Sequence, residues 1–201
     1  MKVKIITDVI SDISPDVAND YGIEVMPIKI TIDGKNMSPT DISVEGLVEW
    51  VEKNKKIPSF KGVSCDEYIN TFGKYVNQGY AIVCLTAGSQ AISNFDCALY
   101  ASTQFPNANI QVLNTNRFSG NVGLLAILAA KMAMNMRSAN EIAIACERNI
   151  EKNKQAAFYD GQVKSAEYFI SNVLPITLGK MNAVENTNSA IVEIAEASFG
   201  G

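Results

Sequence analysis

The run YAIVCLTA, Tyr80 to Ala87, constrains the fold more than any other stretch. It is apolar at nearly every position and lies between Gly79 and Gly88-Ser89. A strand with one wet face alternates apolar and polar residues, whereas a strand covered on both faces does not. The run therefore predicts a strand inside a parallel sheet with helices on either side. KVKIIT near the start and ANIQVLNT, Ala108 to Thr115, have the same short apolar texture and predict further strands.

Helical patterns separate these runs. SPDVANDYG offers Ser14 as N-cap, Pro15 at the first helical position and Gly22 as the stop. IEVMPIKITID reads as one or two extended segments broken by Pro27, followed by a turn at Asp33-Gly34-Lys35. SVEGLVEWVEKN places Leu47, Val48 and Val51 at helical spacing behind a Ser43 cap. CDEYINTFGKYVNQG gathers Tyr68, Ile69, Phe72, Tyr75 and Val76 on one face. FDCALYASTQF predicts another helix. LLAILAAKMAMNM predicts a long one, whose all-round apolarity suggests a central position. SANEIAIACERNIEKNK predicts an amphipathic helix starting at Ser138 or Asn140.

This alternation predicts an α/β fold: an open, mostly parallel sheet with flanking helices over residues 1–154. Beyond Lys154 the texture changes to short mixed elements such as VKSAEYFIS and VLPITLGKMNAV. Residues 155–201 are expected to form a reduced second α/β domain.

Composition narrows the function. The 201 residues are 47% hydrophobic and 19% charged, ordinary for a globular chain. A net charge of −4 argues against a nucleic-acid partner, and Lys53, Lys55 and Lys56 read as the solvated end of a helix. Val122 to Met136 is too short to span a bilayer and carries Lys131 and Asn135, so no membrane insertion is expected. The apolar stretch after Lys4 stops at Asp8, unlike a signal peptide. Cys65, Cys84, Cys97 and Cys146 form no C-x-x-C pair. With no histidine to join them, neither a zinc site nor a disulfide framework is expected, and a reducing cytoplasm fits.

The absence of histidine also excludes every imidazole-dependent mechanism. No turn has dinucleotide or P-loop glycine spacing, and no cofactor or metal is expected. Asp8 with Asp12, or Asp41, would have to carry any acid–base chemistry. Capping is the simpler role for Asp8 and Asp12, so the chain is read as a non-enzyme.

In an open parallel sheet, ligands collect beyond the carboxyl ends of the strands. Three polar turns stand there: Thr7-Asp8 with Ser11-Asp12, Gly88-Ser89 with Ser93-Asn94, and Asn114-Thr115 with Ser119-Gly120. Helix starts among them favour a small anion, such as a carboxylate or phosphate, although the same residues also serve as ordinary caps.

Taken in order, these segments resemble the DegV family of bacterial fatty-acid-binding proteins. KIITDVISDIS is similar to that family's TDSTSDL start, and NKKIPSFKGVSCDEY to its IPTTSQPSPEEF stretch. YAIVCLTAGSQAISNFDCALYA resembles I-S-S-x-L-S-G-T-Y-Q-S-A, and NTNRFSGNVGLLAILAAKMA resembles D-S-R-x-x-S-x-G-x-G with its following helix. The ordered match covers about the first 150 residues. The resemblance implies a two-domain α/β carrier that holds a long-chain fatty acid in a tunnel. It further implies that hydroxyl side chains hold the acid's carboxylate and that a fatty-acid kinase partner phosphorylates the bound acid. The ligand-binding residues implied by the turns and the resemblance are Thr7, Asp8, Ser11, Ser59, Phe60, Ser89, Ile92, Ser93, Asn94, Phe118 and Ser119. The tail would run between the sheet and the helix from Leu124, against Ile92, Phe95, Phe118 and Tyr168.

This chain departs from the family pattern in one direction. Val9 and Ile10 stand where a Ser-Thr pair is usual, and the family's tandem threonines fall on Ser59 and Phe60. Anchored on Phe95, the family's Ser-Gly-Thr falls on Ile92, Ser93 and Asn94. The Gly-Gly-Arg expected near AEYFISN and the G-T-H-x-G-P-G stretch have no counterpart in the sequence. A buried carboxylate with few donors costs several kcal/mol to desolvate. The implied carrier therefore has altered head-group recognition. The alternative is a homologue that has lost its ligand and acts by protein association, with a homodimer as one form.

Overall fold

The computed structural model describes residues 1–38, 41–56, 58–87 and 94–152. A four-stranded parallel sheet forms its centre. The strands are β1 (Val3–Asp8), β2 (Glu24–Met26), β6 (Ala81–Thr86) and β7 (Ile110–Asn114), in the order β2-β1-β6-β7. All six residues of β6 are buried, as the unbroken apolar run requires.

Helices cover both faces. α3 (Cys65–Val76) and α4 (Asn94–Thr103) pack on one face around Ile6, Ile82, Cys84, Tyr68, Phe72 and Ala98. α5 (Gly120–Met134) and α6 (Ala139–Lys152) pack on the other around Ile5, Val83, Leu85, Leu125 and Ile142. Alternate residues of β1 and β6 thus supply the two cores, as the two-residue period of a strand dictates. The α/β class and the mostly parallel sheet expected from the sequence are both present.

Local signals fix the helix starts. α1 (Pro15–Asp20) begins at Ser14, whose Oγ accepts from the Val17 N–H. α2 (Val44–Asn54) begins at Ser43, which accepts from Gly46. Ser64 and Glu67 form a reciprocal capping box at α3, and Ser138 with Glu141 does the same at α6.

Three features differ from the sequence expectation. First, a separate antiparallel sheet joins β3 (Lys29–Ile32), β4 (Lys35–Met37) and β5 (Ser59–Lys61) in the order β4-β3-β5. Its core is Ile30, Ile32 and Leu47, with Trp50 and Phe60 against them. The β3–β4 turn has positive φ at Asp33 and Gly34, the geometry of a tight hairpin.

Second, α5 is covered on one side only among the described residues. Its inner stripe of Val122, Gly123, Leu125, Ala126, Ala129 and Ala130 is buried, but Leu124 and Met134 remain 64% and 65% exposed among the described residues. All-round apolarity reports hydrophobicity without saying that every side is covered.

Third, Cys65 and Cys97 form a disulfide, where the sequence reading expects no disulfide framework. The two lie 32 residues apart in sequence, and only the packing of α3 beside α4 brings them together. Cys84 and Cys146 are free and buried.

The proposed second domain, residues 155–201, lies outside the described residues. Among the described residues no helix is long and apolar enough to cross a membrane.

Candidate functional site

The two central strands define where a site belongs. After β1 the chain moves to β2 on one side, and after β6 it moves to β7 on the other. The segment after β1 brings Ile13 and Tyr21 to the α5 face, whereas α4 packs on the opposite face. The carboxyl ends of β1 and β6 therefore flank the point where the winding reverses, the usual ligand crevice of an open α/β sheet.

Asp8 lies at that point, wholly buried at the end of β1. Its Oδ1 accepts from the Ile10 N–H at 3.0 Å. Its Oδ2 accepts from the Ala87 N–H at 3.2 Å and from Asn94 Nδ2 at 3.0 Å. Burial pushes its carboxyl above the ordinary value, against the three donors that favour the charged form. Asn94 is also buried, and its Oδ1 accepts from the Val63 N–H at 2.8 Å. One carboxylate and one amide thus tie together the ends of β1 and β6, the start of α4 and the lead into α3.

Beyond Asp8 the chain makes a short 3₁₀ turn, Val9–Ser11, capped by Asp8 and closed by Asp12 at φ 52°. Ile10 enters the α3/α4-side core at 3% exposure. Thr7 Oγ1 and Ser11 Oγ are buried without a hydrogen-bond partner among the described residues. So is the hydroxyl of Tyr68, a residue the sequence reading assigned to the apolar face. Burial raises the Tyr68 pKa well above its usual value, and the nearby Cys84, Asp8 and Glu67 add to the shift. Unsatisfied buried hydroxyls are uncommon in native folds, and two of these three, on Thr7 and Ser11, flank Asp8 in the chain.

The remaining residues implied by the sequence separate into groups. Ser119 donates its N–H to the Ile10 carbonyl at 2.9 Å and its Oγ to Asp12 Oδ2 at 2.6 Å, locking the third turn onto the first. Phe118 is half-buried against the α3/α4-side core. Ser59 is exposed on β5, and Phe60 pairs in register with Ile30 and packs into the small-sheet core. β5 leads through Gly62 into Val63 and so into the Asn94 contact. Ser89, Ile92 and Ser93 lie outside the described residues, as does Tyr168.

α5 packs closely where the tail was expected to run between the sheet and that helix. A Cβ on Gly123 would sit 2.6 Å from the Ser11 carbonyl oxygen, and the alanines of α5 bring that helix directly onto the core. A cleft of about 370 Å³ at the opposite end of the sheet is lined by Tyr80, Phe105 and Pro106, remote from these turns. No cluster suited to a metal ion occurs among the described residues.

The fold is an open, doubly wound α/β domain with a buried polar junction at its switch point. Comparison with known proteins narrows the class. The family model described as "Uncharacterised protein, DegV family" matches residues 2–163. The chain belongs to the DegV family. A DegV domain-containing protein of Clostridium acetobutylicum is 23% identical over 186 residues, covering 88% of this chain and 67% of its own. A DegV family protein of Thermus thermophilus, described by its fatty acid binding, has a TM-score of 0.68 at 18% identity. That match covers 75% of this chain and 54% of that one. A stearic-acid-binding protein of Eubacterium ventriosum has a TM-score of 0.64 at 22% identity, covering 72% of this chain and 52% of that one. The chain therefore spans about half to two thirds of the length of these relatives.

Proposed function

We propose that this chain binds a long-chain fatty acid or a similar lipid as a carrier, without catalysis. Membership of the DegV family over residues 2–163 carries this reading, since solved proteins with this fold are described as binding fatty acids. The chemistry of the chain is consistent with it. A switch-point junction of Asp8 and Asn94, with the unpartnered hydroxyls of Thr7 and Ser11 at the same strand end, suits the polar head of a small ligand, and no histidine is available as a catalytic base. Ser59, Ser89 and Ser93 are the further proposed hydroxyl donors, with Ile92 and Phe118 against the tail.

Head-group recognition is altered in this proposal. Ile10 is committed to the core where the family carries a hydroxyl, and Phe60 is committed to the small sheet. Asp8 and Asn94 direct their polar atoms to each other and to backbone N–H groups, so they organise the site and leave head-group donation to the serines. A cytoplasmic location, a fatty-acid kinase partner and residues 155–201 as a smaller second domain belong to the same proposal.

A second reading rests on the apolar side chains left exposed on and after α5. Leu124, Met134, Met136 and Ile144 are 64%, 65%, 79% and 49% exposed among the described residues, which suits protein association or a homodimer without ligand. Solvent extraction and mass spectrometry of the purified chain, with titration by a fluorescent long-chain acid, separate the readings. A stoichiometric acid supports the carrier. A lipid-free protein that takes up none rejects it.

A further inference from the structure

We propose that the Cys65–Cys97 disulfide is a reducible staple controlling assembly of the carboxyl-end junction. The proposal rests on the lipid-binding reading only where it names the regulated event.

The position of the bridge carries the argument. Cys65 opens α3 and Cys97 lies in the first turn of α4, with Cα atoms 4.4 Å apart. Two residues before Cys65, the Val63 N–H donates to Asn94 Oδ1, and Asn94 lies three residues before Cys97. The disulfide and this buried hydrogen bond therefore clamp the same two chain segments. Asn94 in turn reaches Asp8 Oδ2, which also holds the Ala87 N–H. Ser89, Ile92 and Ser93 lie between Ala87 and Asn94 in the sequence, so both flanks of that segment depend on the clamped junction.

The other cysteines offer a contrast. Cys84 and Cys146 are fully buried, and burial raises both thiols, Cys146 to about 11. Cys65 and Cys97 are half-buried, so the bridge lies nearer to solvent, and to a reductant, than either free thiol. A dithiol reductant supplies the chemistry. One of its thiolates attacks one bridge sulfur, forming a mixed disulfide and releasing the other cysteine as a thiolate that takes up a proton. Its second thiol then displaces the remaining cysteine. Two electrons and two protons pass from the reductant to Cys65 and Cys97, and the reductant leaves as a disulfide. Without the bridge, α3 and α4 keep their shared core, but at the first turn of α4 the Asn94–Val63 and Asn94–Asp8 hydrogen bonds lose their covalent support and open more readily.

The test uses the full chain in oxidised form, after reduction with dithiothreitol, and as the C65S/C97S double variant. Amide hydrogen exchange at Val63 and Ala87 is read against Val83 in the sheet centre, and fluorescent fatty-acid affinity is measured on the same samples. The proposal expects exchange at Val63 and Ala87 to rise by about tenfold on reduction with Val83 unchanged. It also expects lipid affinity to fall with it. Unchanged exchange at Val63 and Ala87, or an equal rise at Val83, overturns the staple. If the double variant does not fold, the reduced wild-type chain gives the same comparison. A local rise in exchange without lipid uptake in any sample upholds the staple and rejects the carrier reading.

Discussion

Asn94 donates from Nδ2 to Asp8 Oδ2 at 3.0 Å across 86 residues of sequence, and both side chains are buried. Every partner of Asp8 in this junction is a donor. An amide at position 8 would turn an N–H₂ group toward at least one of them. Asp8→Asn and Asn94→Ala should each cost about 1–3 kcal/mol, the price of leaving buried polar groups unpaired. Urea unfolding measures the loss, and the two losses should fall well short of additive in the double variant. Full additivity would mean that the two side chains act independently.

Gly123 decides between two opposed effects. Alanine is about 1 kcal/mol better than glycine inside a free helix. Here the added Cβ would lie 2.6 Å from a backbone oxygen of Ser11, which cannot move without shifting the 3₁₀ turn. Overpacking of this kind costs about 1–3 kcal/mol, so Gly123→Ala should destabilise the chain. Gly120→Ala, with open space around it, is the control and should be neutral or stabilising in the same urea experiment.

Stability should decline in acid through Glu67. Burial pushes its carboxyl up, but hydrogen bonds from Lys29 and Ser64 outweigh burial and hold it at about 2, below the ordinary 4.5. The depressed folded-state pKa means that the unfolded chain binds more protons between these values. The stability Glu67 contributes is therefore present above pH 4.5 and is lost as pH falls toward 2. Asp8 has the opposite sign. Its raised pKa lets the folded state keep a proton above 3.8, so its cost sets in as pH rises through the folded value. Urea unfolding of wild type and Glu67→Gln down to about pH 2.5 should show a shallower acid decline in the variant. Parallel curves would remove Glu67 from the account.

The Cys65–Cys97 bridge encloses a loop set by a separation of 32 residues. Restricting the unfolded chain over such a loop is worth about 3–4 kcal/mol. C65S/C97S should lose stability of that order relative to the oxidised chain and match the reduced wild type. A variant as stable as the oxidised chain would mean that the cross-link adds nothing to the fold.

Features governed by near neighbours were legible in the sequence. Ser14-Pro15, Ser43 and Ser138 mark helix starts because a cap needs only the next three residues. YAIVCLTA reads as a two-sided buried strand because burial on both faces removes the polar alternation. The β1 turn was readable as a strand end, and its Asp8 cap as a cap.

Features made by distant neighbours were not legible. Nothing local pairs Asn94 with Asp8 or Cys65 with Cys97. Ser59–Lys61 is too short and too polar for a strand pattern, and it forms β5 because Lys29–Ile32 is beside it. Phe60 was readable as a lost hydroxyl, but its commitment to Ile30, Ile32 and Leu47 became visible only in the fold. Tyr68 carried a signal that could have been used: it places a hydroxyl on a helix face otherwise read as core.

Direct titration of the delipidated, oxidised full chain with a long-chain fatty acid, followed by calorimetry and by mass spectrometry of the retained lipid, tests the central claim most directly. The account predicts saturable uptake of one acid per chain, weakened by Ser59→Ala and left intact by Gly120→Ala. A correctly folded, oxidised chain that retains no acid and gives no binding heat would contradict it.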